Sequence, residues 1–212
     1  MIAIVDYGMG NLFSVSKALD RLGEEYVISS NPKELLQADG LILPGVGSFK
    51  DAMTLLHKSE LVQAINGFVK TDKPLLGICL GMQLLFEESD ENGKTEGLGL
   101  IPGSIVRIPT NDQEGNQYKV PHMGWNRLSF QNPSRIVYGL EENHVYFVHS
   151  YYLSKHRDDN VIASSIYGVE VPAIVEKGNV FGMQFHPEKS GKLGMQLLEN
   201  FTKIVKATEV IS

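Results

Sequence analysis

The chain has 212 residues, 42% of them hydrophobic and 21% charged, with a formal net charge of −6. That length predicts one sizeable α/β domain spanning 1–212 rather than two domains. The acidic balance excludes a surface that tracks a phosphate backbone, and no apolar run approaches the roughly 18 residues of a membrane span, so neither nucleic acid nor membrane is an expected partner.

Ile2-Ala3-Ile4-Val5 reads as a short buried strand, and Tyr7-Gly8-Met9-Gly10-Asn11 as a Gly-rich turn. Leu12, Val15, Leu19 and Leu22 recur at helical spacing, and Gly23 stops that helix. Tyr26-Val27-Ile28 is a second strand. Asn31 caps a short helix, 32–37, with Pro32 in its first turn. Gly40-Leu41-Ile42-Leu43 is a third strand, ending in Pro44-Gly45-Val46-Gly47. Residues 49–69 are predicted mostly helical, and 75–78 form a fourth strand that enters Gly77-Ile78-Cys79-Leu80-Gly81. A helix-like run, 82–88, follows. Strand and helix alternate throughout, which predicts a parallel sheet with helices on both faces.

The texture changes after residue 97. Short strand-like runs at 104–108, 145–148, 161–164, 173–175 and 180–185 are separated by Gly- and Asn-rich turns, which predicts mixed or antiparallel structure added to the same sheet. Residues 110–118 are polar and read as an exposed loop. An amphipathic helix, 193–205, closes the pattern.

Cys79 is the only cysteine, so no internal disulfide and no Cys-rich metal site can form. A reducing cytoplasm suits it, and the first residues show no basic n-region ahead of a long apolar stretch. Cytoplasmic location is the expectation. Its setting is that of a nucleophile elbow with sulfur in place of a hydroxyl. Gly77 and Gly81 let neighbouring backbone pass close by, and a following helix would aim free N–H groups at the sulfur and favour thiolate. The N–H of Leu80 could face a developing oxyanion. A free cysteine is also among the most buried residue types, so the elbow alone leaves a core role open.

Downstream, Gln184-Phe185-His186-Pro187-Glu188 offers a base and a carboxylate. On extended chain His186 and Glu188 point to one side, and Pro187 disfavours helix at His186. Glu188 can accept from one imidazole nitrogen and leave the other to take the thiol proton. As an isolated motif the pair is better read as a surface turn; with the cysteine elbow the balance reverses to the catalytic reading. The glycines of 44–47 suit an oxyanion loop at the C-terminal end of the sheet, though taken alone they are better read as a Gly-rich turn, and Tyr7–Asn11 lacks the third glycine of a dinucleotide fingerprint. His57, His122, His144 and His156 show no metal-ligand spacing, so no metal or cofactor is expected. His149 reads as packing or site wall, and Trp125, the only tryptophan, as either core or partner-facing.

Gly77–Gln83, Pro44–Gly47 and Gln184–Glu188 together resemble, in order and spacing, the three signatures of class I, triad-type glutamine amidotransferases. Asp6–Leu12, Lys119–Asn126 and His186–Ser190 resemble one branch of that family, the glutaminase subunits of imidazole glycerol phosphate synthase in histidine biosynthesis. The resemblance runs nearly end to end, with no departure at the triad. It implies a three-layer, flavodoxin-like α/β fold with a mixed, mostly parallel central sheet and antiparallel strands added in the C-terminal half. It implies that Cys79 attacks glutamine, His186 moves protons and Glu188 orients His186. Gly45, Val46, Gly47 and Leu80 would hold the oxyanion. Gln83, Glu91, Ser150 and Tyr151 would contact bound glutamine. Ammonia would pass to a separate (βα)8-barrel cyclase in a heterodimer, because a barrel of ~250 residues has no room in this chain. Asn11, Trp125, Tyr146 and Lys189 are the expected partner face. Glutaminases that serve anthranilate, GMP or pyridoxal phosphate synthases share the elbow, but Lys119–Asn126 and the N-terminal Gly-Met-Gly-Asn-Leu argue against them. A stand-alone cysteine hydrolase would work without a partner, and a regulatory module without catalysis would not need the intact triad.

Overall fold

The structure is a computed structural model describing residues 1–112 and 114–209. Strands β1 (Ile2–Val5), β2 (Tyr26–Ser29), β3 (Gly40–Gly45) and β4 (Leu75–Cys79) alternate with helices α1 (Leu12–Leu22), α2 (Pro32–Gln37), α3 (Phe49–Lys58) and α4 (Leu61–Val69). The short helix α5 (Leu80–Gln83) follows β4 directly. Then come β5 (Glu88–Ser89), β6 (Thr95–Glu96), β7 (Ser104–Arg107), β8 (His122–Arg127), β9 (Ser129–Phe130), β10 (His144–His149), β11 (Tyr151–Ser154), β12 (Val161–Tyr167), β13 (Val169–Lys177) and β14 (Val180–Met183), and helix α6 (Gly191–Glu209).

The main sheet has eight strands in the order β2-β1-β3-β4-β14-β13-β12-β9. Its first five are mutually parallel, and the rest run antiparallel. This is the flavodoxin-like 2-1-3-4 order extended by hairpins, as expected for the mixed sheet. Strands β1, β3 and β4 are buried along their whole length, which suits a parallel sheet covered on both faces. One core lies under α1 and α6 with Ile4, Ile42, Phe181 and Phe201, the other under α3 and α4 with Leu43, Phe49, Phe68 and Leu75. Beside the main sheet stand a two-stranded ribbon, β8–β10, and a small sheet ordered β11-β7-β5-β6.

Three expectations change. The helix predicted over 49–69 is two helices. Ser59 Oγ donates to the Leu55 carbonyl at 2.6 Å, and Glu60 turns into the left-handed region at φ 58°. The helix predicted over 82–88 ends at Gln83. Leu84, Leu85 and Phe86 are fully buried and have no solvent face, and their carbonyls accept from the N–H groups of Leu98, Leu100 and Gly99 instead. The strand predicted to reach Phe185 stops at Met183, and His186 N–H leaves the sheet to donate to the Tyr146 carbonyl at 3.1 Å. Strand β8 has no counterpart among the predicted runs, because exposed and half-buried side chains and a glycine dilute its pattern. The described residues of the polar run, 110–112 and 114–118, are largely exposed, with an isolated bridge between Asn111 and Gln117; residue 113 lies outside the described residues.

Candidate active site

Three neighbouring strands bring the expected catalytic groups together. Gly45 at the end of β3 is level with Cys79 at the end of β4, and Met183 at the end of β14 is level with Ile78. The C-terminal ends of central parallel strands are where this class of sheet binds ligands. A cavity of about 370 Å³ opens there, lined among others by Val46, Gly47, Cys79, Leu80, Gln83 and His186.

Cys79 takes φ 55° and ψ −114°, outside the ordinary left-handed well. Such backbone costs roughly 1–3 kcal/mol and persists where surrounding structure over-determines it. Here the constraint is close packing behind the elbow. A Cβ on Gly81 would lie 1.8 Å from the Leu43 carbonyl oxygen, so only glycine lets α5 approach β3. Helix α5 has four residues, shorter than the helix expected to bias the sulfur toward thiolate. Its first N–H groups still lack intrahelical acceptors, and Leu80 is the first of them.

His186 Nδ1 pairs with Glu188 Oε1 at 2.8 Å, and both side chains are buried. The expected side-by-side placement therefore holds, but through a 3-10 turn at Pro187–Lys189 rather than continued strand. Burial is the largest influence on the imidazole and pulls it down. The hydrogen bonds and charges of Cys79 and Glu188 together outweigh burial and push His186 up to about 9. With Nδ1 held by Glu188, Nε2 is the nitrogen left to exchange a proton with the sulfur. The Cys79 Sγ also lies 3.9 Å from the Val148 carbonyl oxygen.

The oxyanion candidates border the same space. Val46 is 42% exposed, and Gly47 has φ 95°. Below them, buried Tyr7 donates its hydroxyl to the Pro44 carbonyl at 3.0 Å. Burial, then the charge of Cys79, raises the Tyr7 phenol far above its ordinary value, so it remains a donor. A Cβ on Gly47 would lie 2.4 Å from the Met9 methyl, so the Tyr7–Asn11 turn underpins this loop. Tyr7 went unnoticed in the sequence because nothing local links residue 7 to residue 44.

The glutamine-contact candidates also meet at the cavity, which Gln83, Glu91, Ser150 and Tyr151 all line. Gln83 is buried, and its Nε2 donates to the Tyr151 carbonyl and to Gln184 Oε1, each at 2.9 Å. Only its carbonyl oxygen is left to meet a ligand. Glu91 Oε2 accepts from Phe49 N–H at 2.7 Å and so caps α3; burial raises its carboxyl. Pro121, Val148 and His149 complete the wall, of which the sequence had pointed only to His149.

The partner-face candidates lie outside the cavity. Trp125 is 54% exposed and pairs across the ribbon with Tyr146, their ring centroids 5.9 Å apart. Tyr146 N–H donates to Ser190 Oγ at 2.9 Å, and that hydroxyl donates to the His186 carbonyl at 2.6 Å. Lys189 is exposed on the turn between them, and Asn11 precedes α1, which packs on that turn. Among the described residues no helix is long and apolar enough to cross a membrane, and no His, Cys, Asp or Glu group of three or more could hold a metal ion.

The family model described as "Glutamine amidotransferase class-I" matches residues 3–205. The "Imidazole glycerol phosphate synthase subunit HisH" of Geobacillus sp. (strain WCH70) is 64% identical over 206 residues, covering 97% of this chain and 98% of that protein. The HisH subunit of Bacillus subtilis (strain 168) is 56% identical over 210 residues, 99% of each chain. Among solved structures, PurLQS from Thermotoga maritima superposes with a TM-score of 0.73 at 21% identity, over 95% of this chain and 97% of that one, a likeness of fold alone. The chain thus belongs to the class-I glutamine amidotransferase family, in the branch formed by the HisH subunits of imidazole glycerol phosphate synthase.

Proposed function

We propose that the cavity beside Cys79 binds L-glutamine and that Cys79, His186 and Glu188 hydrolyse it to glutamate and ammonia for imidazole glycerol phosphate synthesis in histidine biosynthesis. The observation that carries this reading is the buried His186–Glu188 pair, 2.8 Å apart, turned toward a cysteine in strained elbow backbone. Cys79 Sγ attacks the side-chain amide carbon of glutamine. Negative charge moves to the amide oxygen, toward the N–H of Leu80 and the Gly45–Gly47 loop. The imidazolium of His186 gives its proton to the amide nitrogen, the C–N bond breaks and ammonia departs. Water, deprotonated by His186, then cleaves the γ-glutamyl thioester and restores the thiol. Glu188 holds the ring in one tautomer throughout.

The ammonia goes to a (βα)8-barrel cyclase subunit, which joins it to a phosphoribosyl-formimino carboxamide nucleotide. The products are imidazole glycerol phosphate and an aminoimidazole carboxamide ribotide. The exposed Trp125–Tyr146 pair, with Lys189 and Asn11, is the docking face in a heterodimer in the cytoplasm. One domain spanning 1–212 carries the whole glutaminase site. The test is glutamate release by the chain with and without the cyclase and its nucleotide. Weak release alone and a strong rise in the complex supports the reading; full activity of the isolated chain makes it a stand-alone hydrolase.

A further inference from the structure

A buried imidazole pair, unused by the triad chemistry, reaches the cavity wall through its member His149. His122, at the start of β8, and His149, at the end of β10, face each other in the ribbon register, with His122 Nδ1 2.9 Å from His149 Nε2. His149 Nδ1 is 2.7 Å from the Tyr151 carbonyl oxygen, and His122 Nε2 is 2.9 Å from Asn126 Oδ1. The Tyr151 carbonyl also accepts from Gln83 Nε2 at 2.9 Å. A continuous polar chain therefore runs from Asn126, through two rings and one carbonyl, to the helix that follows the nucleophile.

The direction of the chain follows from donor counting. A carbonyl oxygen only accepts, so His149 must carry its proton on Nδ1 to meet Tyr151. Burial holds the His149 ring down at about 3, so it is neutral and its Nε2 is a bare acceptor. His122 must then donate from Nδ1. The three contacts call for three N–H groups and two neutral rings bring two. The shortfall falls at the Asn126 end: turning that amide to donate to His122 Nε2 would give up its Nδ2 bond to the Ile166 carbonyl, 3.2 Å away.

The surroundings keep His122 in that pose. Its ring is fully buried and stacked between Tyr167, at 3.9 Å and 16°, and Phe147, at 4.7 Å and 20°. Such a sandwich fixes the ring plane while leaving both nitrogens in plane for hydrogen bonds. Tyr167 is itself anchored, its hydroxyl donating to the Lys119 carbonyl at 2.8 Å.

We propose that His122 is a positioning residue of the glutaminase site, acting through His149 to hold the Tyr151 carbonyl that anchors Gln83 behind the nucleophile. This rests on glutamine occupying the cavity beside Cys79. His122 touches no reacting atom, and its effect falls on how well the pocket fits glutamine rather than on proton transfer at sulfur.

The test has a spectroscopic and a kinetic arm. Ring ¹⁵N spectra of the histidine-labelled chain read the tautomers directly, and the expected result is His149 protonated on Nδ1 with Nε2 bare. A His149 protonated on Nε2 overturns the proposal without any variant. In the synthase complex, His122→Phe keeps the stack and removes both ring nitrogens. It is expected to raise the KM for glutamine about tenfold, the cost of leaving one buried acceptor unpaired, with kcat within about twofold. His122→Asn restores a donor toward His149 and recovers KM to within about threefold. An unchanged KM in the Phe variant, or equal losses in both variants, sinks the role of His122. Titration with glutamine separates this failure from that of the site itself. If the His149 resonances stay unmoved while its Nδ1–H tautomer is present, the cavity is not the glutamine site, and the proposal falls with it.

Discussion

Strand β4 and strand β10 both reach the catalytic cavity, yet their surroundings differ. β4 lies between two parallel neighbours, is buried from end to end and delivers Cys79 from the centre of the main sheet. β10 pairs only with β8, in a ribbon outside that sheet, and alternates buried and less buried side chains. The first strand supplies chemistry from a position that tolerates no displacement. The second supplies a wall, through His149, and a surface, through Tyr146, which Trp125 of β8 extends across the ribbon. The two meet where Cys79 Sγ lies 3.9 Å from the Val148 carbonyl, and His186, which follows β14, donates its N–H to the Tyr146 carbonyl. Rigid packing and exposed aromatic surface thus belong to different strands that meet beside one histidine.

The sharpest way to break this division is at β4. Cys79→Ala is expected to lower glutamate release by at least about 10³-fold while ammonia-driven synthesis by the complex stays within about twofold. Assays of the two nitrogen sources side by side check it, and parallel loss of both would show that β4 also shapes the partner. Next comes the packing behind the elbow. Gly81→Ala places a methyl on the Leu43 carbonyl and is expected to destabilise the fold by about 3 kcal/mol, read as a lower denaturation midpoint at unchanged slope. The ribbon should answer in the opposite way. Trp125→Ala is expected to change stability by less than about 0.5 kcal/mol but to weaken cyclase binding by about 2 kcal/mol, roughly thirtyfold in Kd by calorimetry.

A pH series also separates the two regions. His149, held down at about 3, binds fewer protons folded than unfolded between there and its ordinary 6.5, so stability falls as pH drops through that window. His186, pushed up to about 9, binds more protons folded than unfolded above 6.5, so its contribution is full below 6.5 and lost as pH rises through about 9. Each group has a limiting slope of about 1.4 kcal/mol per pH unit. Urea midpoints across pH are expected to peak near neutrality. His149→Phe should flatten the acid limb alone, and Cys79→Ala the alkaline limb.

The parallel half was legible because its signals are local. Four short apolar runs punctuated by Gly23, Asn31 and the 44–47 turn suffice to order β1 to β4. The groups proposed as a triad could be singled out because an elbow and a His-Pro-Glu turn are each contiguous. What stayed hidden depends on distance in sequence. Tyr7 matters through the Pro44 carbonyl and His122 through His149, pairings that only the folded chain makes. The 82–88 run misled because its carbonyls are satisfied by the 98–100 segment, which no periodicity within the run reveals.

The position of β14 has a consequence for when the enzyme becomes competent. Among the described residues it is the last strand in chain order, yet it enters between β4 and β13, pairing Leu75 with Val180. A growing polypeptide that has emerged only through β13 holds its thiol but lacks the imidazole, and the gap beside β4 stays open. Closure of so long a loop is an intrinsically slow, late event in folding. A chain not yet extended past His186 therefore has the proposed nucleophile without the proposed base.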